Sequence, residues 1–189
     1  HWDLRGKFKS YTSNVSFQNK TVLDVGTASG FLSFEAEKHG AKSVVSVDAE
    51  SATHWDRLPF IQNQAMKDRS GWEGTANQYL DSIKRSYWVA HTEFRAQNLV
   101  YYGNAYALPE GLGQFDIVIV GQILVHLSDT LRALASIANR CKNTLIIAEG
   151  MTHEQYPVSN LLGRAKYPEQ DYTFWHHSEG FYNEVLQML

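Results

Sequence analysis

The densest chemical signal in the chain is Asp24-Val25-Gly26-Thr27-Ala28-Ser29-Gly30. Glycine reaches positive φ and lets a ligand approach the backbone, so Gly26 and Gly30 suit a turn that wraps a nucleoside. The same pair also serves any tight strand-to-helix turn. A dinucleotide fingerprint would need Gly-x-Gly-x-x-Gly, with a pyrophosphate on the helix N-terminus. Here Ala28 stands where the second Gly belongs and Phe31 where the third would fall. Asp24 adds a carboxylate just ahead of Gly26, where a phosphate gains nothing. It suits a ligand with a cationic sulfonium or ammonium group. Further along, Asp48 can accept both hydroxyls of a ribose, or simply cap a strand end. Asn104 can hydrogen-bond the amino edge of an adenine, or make a plain turn.

These residues need elements to position them. Thr21–Val25 reads as a strand that opens into the glycine turn, and Phe31–His39 as a helix closed by Gly40. Ser43–Val47 is a β-branched strand stopped at Asp48. Strand, turn, helix, strand makes one βαβ unit with parallel strands. Asp56–Arg69 carries a weak helical period, Ser70–Asn77 reads as a loop with two Gly, and Gln78–Phe94 as a helix. Leu99–Tyr102, Phe115–Val120 and Thr144–Ala148 read as strands, and Leu127–Arg140 as a helix capped by Ser128 or Asp129. Met151–His177 reads as loop and Phe181–Leu189 as a terminal helix.

Alternation of this kind gives an α/β, doubly wound, mostly parallel sheet whose ligands sit beyond the carboxyl ends of the strands. The crevice is therefore expected at Gly26–Gly30, Asp48-Ala49, Asn104-Ala105 and Gly121–His126, with Glu149 at the last strand end. One domain spans 1–189, with a core at 20–150 and a lid loop and terminal helix at 151–189.

Composition bounds the class. The 189 residues are 43% hydrophobic and 20% charged, enough apolar mass for a sizeable core. No apolar run reaches membrane-span length. A single cysteine, Cys141, excludes an internal disulfide framework and fits a reducing, cytoplasmic setting. A net charge of −3 with scattered basic residues argues against nucleic acid as the main partner. The chain begins at His1 rather than Met, which reads as a fragment.

Val22–Gly30 with Val47-Asp48 resembles the class I S-adenosylmethionine-dependent methyltransferases. Gly103–Pro109 looks like their adenine-binding segment, and Phe115–Val118 with Leu124–Leu127 like their fourth strand and following turn. More narrowly, Gly26–Glu37, Tyr87–His91 and Thr173–Trp175 are similar to a bacterial subgroup related to the wobble-uridine tRNA-modifying methyltransferases. The resemblance implies a Rossmann-like fold with S-adenosyl-L-methionine as cofactor and S-adenosyl-L-homocysteine as product. It implies cofactor contacts from Asp24, Gly26, Thr27, Ala28, Ser29, Gly30, Asp48, Ala49, Asn104, Ala105 and Gly121. Such domains normally end in an antiparallel sixth and seventh strand, which this sequence does not supply, so a truncated chain with an exposed sheet edge is expected.

Methyl transfer is an in-line displacement that rests mainly on alignment and exclusion of water. For an oxygen or nitrogen acceptor a base near neutral pKa removes the proton. His126, after the fourth strand, is the first candidate and His91 the second; each can instead be a histidine satisfied by its surroundings. Gln122, Glu149, Trp175 and His176 are candidate substrate contacts, and Trp55, Trp88, Tyr101, Tyr102 and Phe174 can stack on ligands or pack in the core. The histidines show no ligand spacing, so no metal is expected. A carboxylated S-adenosylmethionine would demand an extra cation near the methyl, which the sequence does not assign. The leading expectation is transfer to a small molecule. A tRNA wobble-uridine methyl- or carboxymethyltransferase and a noncatalytic nucleoside-binding scaffold are the alternatives.

Overall fold

The computed structural model describes residues 3–164 and 166–189. In chain order the regular elements are α1 (Phe8–Tyr11), β1 (Thr21–Val25), α2 (Phe31–Lys38), β2 (Ser43–Asp48), α3 (Gln64–Lys67), α4 (Arg69–Glu93) and β3 (Leu99–Tyr102). They are followed by β4 (Phe115–Gly121), α5 (Thr130–Ala138), β5 (Cys141–Ala148), β6 (Ser159–Leu161), β7 (Trp175–His177) and α6 (Glu179–Met188). Short 3₁₀ turns sit at Ala52–His54, Ala105–Ala107, Glu110–Leu112 and Leu124–His126.

Five strands form one sheet in the order β3-β2-β1-β4-β5, every pair parallel. The chain winds outward from β1 to β3, then returns to the other side of β1 with β4. The switch point therefore lies between β1 and β4, where such sheets open a crevice. These two strands are apolar on both faces because helices cover both. Leu23, Val25, Val118 and Val120 pack with Leu134 and Ile137 of α5 on one side. Val22, Ile117 and Ile119 pack with Leu32 and Ala36 of α2 and with Phe8 and Phe17 on the other. Each fully buried Val, Leu or Ile contributes about 1.5–3 kcal/mol of hydrophobic stabilisation, which pins the strands from which the site is hung.

Several boundaries depart from the sequence reading. Ser70–Asn77 is not a loop but the first third of the 25-residue α4. Asp68 caps that helix by accepting the Gly71 N–H at 3.0 Å, and Ala76 and Leu80 are buried. The cap and this burial outweigh the roughly 1 kcal/mol that each helical Gly costs. Of Asp56–Arg69 only Gln64–Lys67 is helical in its own right, capped by Asn63, before α4 opens at Arg69. Pro59 lacks a donor, and the Leu58 N–H donates across the molecule to the Asp171 carbonyl at 2.7 Å. Helix α5 starts at Thr130, capped by Asp129, and β5 starts at Cys141. Met151–His177 contains the antiparallel pair β6–β7, a two-stranded sheet apart from the main one. His177 fastens it, bonding Ser159 Oγ at 2.8 Å and Thr130 Oγ1 of α5 at 3.0 Å. No helix among the described residues is long and apolar enough to cross a membrane.

Candidate functional site

A cavity of about 800 Å³ lies at the carboxyl ends of β1, β2 and β4. One wall is the glycine turn. Gly26 has φ +82° and Gly30 +89°. A Cβ on Gly26 would sit 2.9 Å from Ile123 Cδ1, and one on Gly30 would stand 2.4 Å from the Phe34 ring. Both positions therefore require glycine for conformation and for space. Ala28 also holds positive φ, +48°, and its N–H donates to Asp48 Oδ2 at 2.6 Å. Across the crevice Gln122 has φ +55°. Two non-glycine residues in left-handed backbone thus face one cavity, a form of strain that clusters at ligand sites.

Asp48 accepts the N–H groups of Ala28 and Ala49, the latter at 2.7 Å on Oδ1. Each carboxylate oxygen keeps a further lone pair, which is what two ribose hydroxyls need. Burial pushes its pKa up, against the lowering effect of the two backbone donors. Asn104 Oδ1 accepts the Tyr106 N–H at 2.9 Å. Its amide NH₂ is what remains for a ligand, so it is fitted to donate to a ring nitrogen. His54 lines the same end and bonds the Gly103 carbonyl through Nδ1 at 3.2 Å.

The opposite end is aromatic and charged: Trp55, Asp56, Arg57, Tyr79, His126 and Tyr172. His126 Nδ1 lies 2.7 Å from the Tyr172 carbonyl. A carbonyl only accepts, so Nδ1 carries the proton and the neutral ring keeps Nε2 as a free base. Asp56 Oδ2 accepts from the Ser128 N–H and hydroxyl, both at 2.7 Å, and from the Tyr106 hydroxyl.

Of the residues singled out from sequence, the structure brings Gly26, Thr27, Ala28, Ser29, Asp48, Ala49, Asn104, Ala105, Gly121, Gln122, Trp55 and His126 to this cavity. Others stand elsewhere. Asp24 is fully buried behind the turn, where its Oδ2 accepts the hydroxyls of Thr27 and Ser33, each at 2.8 Å. Burial raises its pKa to about 6, its Oδ1 is buried without a hydrogen-bond partner among the described residues, and the residue does not line the cavity. Gly30 forms the left-handed N-cap of α2. His91 does not reach the cavity: its Nε2 bonds the Asn98 carbonyl at 3.0 Å, and its ring packs against Tyr87 and Trp88. Trp88 is itself 45% exposed on α4.

Glu149 lies beneath the Leu124–His126 turn, accepting the Leu124 N–H at 2.9 Å on Oε1. Burial pushes its pKa up to about 7. It holds the turn that carries His126 and does not line the cavity. Trp175 donates Nε1–H to the Ser128 carbonyl at 2.9 Å, and His176 stands near Gly150; both are off the cavity wall. Tyr101 packs against the main core and behind Gly103, and Phe174 is buried with its N–H on the Val125 carbonyl. The Tyr102 hydroxyl is buried without a hydrogen-bond partner among the described residues. No group of three potential metal ligands occurs among the described residues.

Sequence reasoning missed Leu4, Tyr11, Arg57, Tyr79 and Tyr172 on the cavity wall. Arg57 follows the second strand end closely, and an Asp-Arg pair among aromatics was a usable signal there. Tyr11 gave none, because it arrives through α1 and packs its hydroxyl against Gly121.

Residues 10–68 match the model of the ribosomal protein L11 methyltransferase family, PrmA. That stretch contains the glycine turn, Asp48 and Arg57, and excludes the Tyr87–His91 and Thr173–Trp175 segments of the narrower likeness. A histone-arginine methyltransferase of Aedes aegypti, CARMER, is 40% identical over 53 residues, 28% of this chain and 9% of the relative. The matched part is thus under a tenth of that relative's length. Among solved structures, an S-adenosylmethionine-dependent methyltransferase from Mesorhizobium loti superposes with a TM-score of 0.64 at 11% identity, covering 98% of this chain and 82% of that one. Coclaurine N-methyltransferase, bound to N-methylheliamine and S-adenosylhomocysteine, gives 0.66 at 14% identity over 96% of this chain and 47% of that one. The chain has the Rossmann-like fold of these methyltransferases.

Proposed function

We propose that the chain binds S-adenosylmethionine at the glycine turn and transfers its methyl group to a small molecule held between Trp55, Arg57, His126 and Tyr172. The observation that carries this reading is the convergence, on one cavity of about 800 Å³, of the glycine turn, the Asp48 carboxylate, the Asn104 amide and a histidine with a free Nε2. The donor set fits the cofactor: a carboxylate for a ribose diol, an amide NH₂ for a ring nitrogen, and backbone that comes close because Gly26 and Gly103 carry no Cβ. When bound, the cofactor supplies an electrophilic methyl carbon on a cationic sulfur.

The protein's own tasks are alignment and proton removal. Asp48 and Asn104 fix the nucleoside, and the Gly26–Ser29 backbone borders it. Trp55 and Tyr172 keep water from the reacting end. His126 Nε2 takes the proton of an oxygen or nitrogen acceptor, and Tyr172 holds the ring in the required tautomer. The names of the PrmA and CARMER relatives point to protein acceptors, but their matches cover only part of this chain. The tRNA reading asks for a phosphate-binding surface, which a net charge of −3 does not favour. The single free cysteine fits a reducing, cytoplasmic setting.

The test is to incubate the chain with S-adenosylmethionine and a series of small hydroxylated and amino-bearing aromatics, and to measure S-adenosylhomocysteine. Acceptor-dependent product is expected. His126→Asn should lower the rate by about 10²–10⁴-fold while leaving cofactor affinity within a few-fold. A chain that binds cofactor yet yields no product with any small acceptor would overturn the small-molecule reading.

A further inference from the structure

We propose that Arg57 is the anchor for an anionic group, a carboxylate or its phosphate analogue, on the methyl acceptor. This rests on the reading of the cavity as a methyl-transfer site and adds the charge class of its acceptor. Arg57 lines the cavity, yet its side chain is only 15% exposed. Its guanidinium carbon lies 4.9 Å from the centre of the Trp72 ring and 5.7 Å from that of Tyr172, an aromatic clamp that limits its movement.

A guanidinium has five N–H donors. Here NH1 meets Asp171 Oδ1 at 3.0 Å, its one hydrogen bond among the described residues. The Nε is shut from solvent and has no partner. An atom shut from solvent is shut from a ligand as well, so the donors open to an acceptor are those of NH2, which is not buried in this way and has no hydrogen bond among the described residues. Asp171 is not on that wall and is met through NH1 alone. The neighbouring Asp56 makes no ion pair with Arg57 among the described residues, and its Oδ2 accepts from Tyr106 and Ser128. A planar fork with donors to spare matches the paired oxygens of a carboxylate or phosphate, and a neutral acceptor would make no use of it. Tyr172 ties this anchor to the proposed base: its ring lies against Arg57 and its carbonyl fixes His126. An anion on Arg57 would thus place the rest of a flat acceptor beside His126.

The test is calorimetry on the whole chain saturated with S-adenosylhomocysteine, using benzoate, benzamide and phenyl phosphate as probes. Benzoate and benzamide share a shape and differ in charge. Benzoate is expected to bind at least about 10-fold more tightly than benzamide, the worth of a charged hydrogen bond. Arg57→Gln should erase that preference and leave S-adenosylhomocysteine affinity unchanged. Asp171→Asn, which frees Arg57 from its competing anion, should strengthen benzoate binding, a gain that a purely structural ion pair would not give. Phenyl phosphate binding above benzoate would assign the anion as phosphate, within the proposal. Equal binding of benzoate and benzamide, or a preference that survives Arg57→Gln, would overturn it. So would benzoate binding found only in the chain without S-adenosylhomocysteine, which would put the anion on the donor. Failure of S-adenosylhomocysteine to bind at all is read separately and overturns the methyl-transfer reading instead.

Discussion

Replacing Glu149 with Gln removes an ionisable group from beneath the turn that carries His126 while keeping an oxygen for the Leu124 N–H. The wild-type carboxyl is moved from 4.5 to about 7, burial outweighing the backbone donors of Leu124, Ile123 and Val125. The folded chain therefore holds this proton more tightly than the unfolded chain. The stability from this group is fully present below about pH 4.5, declines as pH rises, and is gone above about pH 7. At about 1.4 kcal/mol per pH unit, the ionised carboxylate costs the fold roughly 3 kcal/mol. The Gln side chain escapes that cost but adds an NH₂ that needs an acceptor, worth about 1 kcal/mol or more. Urea denaturation of both proteins from pH 4.5 to 8 isolates the effect, because every other ionisable group is common to both. The variant should be the weaker or equal at pH 4.5 and the stronger by about 1–3 kcal/mol at pH 8. Parallel stability curves would refute the burial of an ionisable Glu149.

The strained turn yields two further expectations. Ala28→Gly relieves a left-handed alanine and should stabilise the fold by about 0.5–1 kcal/mol, while Gly30→Ala collides with Phe34 and should cost about 2–4 kcal/mol; thermal melts measure both. In the core, Ile119→Ala should cost about 2–5 kcal/mol by denaturant titration, since Ile119 is fully buried between layers. His91→Gln, away from the cavity, should leave cofactor affinity within about 2-fold and lower the melting temperature through its lost bond to Asn98; a loss of binding with an intact fold would return His91 to the site.

The proposed cofactor side was legible because each of its residues sits at the end of an apolar run. Val22–Val25, Val44–Val47 and Ile117–Val120 declare strands by composition, and a doubly wound sheet then dictates that Gly26, Asp48 and Gly121 meet. The proposed acceptor side was not legible. Arg57 and Asp171 are 114 positions apart, and what joins them is a loop-to-loop contact, their own ion pair beside the Leu58 N–H bond to the Asp171 carbonyl, that has no periodicity to announce it. The start of α4 was hidden by Gly71 and Gly74, whose low helix propensity masked the Asp68 cap. His91 illustrates the reverse failure: its residue type suited catalysis, and only its neighbours reveal a packed side chain bonded to a carbonyl.

Whether this cavity holds S-adenosylmethionine is decided by calorimetric titration of the chain with it. Saturable one-to-one binding is expected, weakened by about 1.5–3 kcal/mol in Asp48→Ala with the fold intact by circular dichroism. A folded wild-type chain that takes up no S-adenosylmethionine, or an Asp48→Ala variant with unchanged affinity, would contradict it.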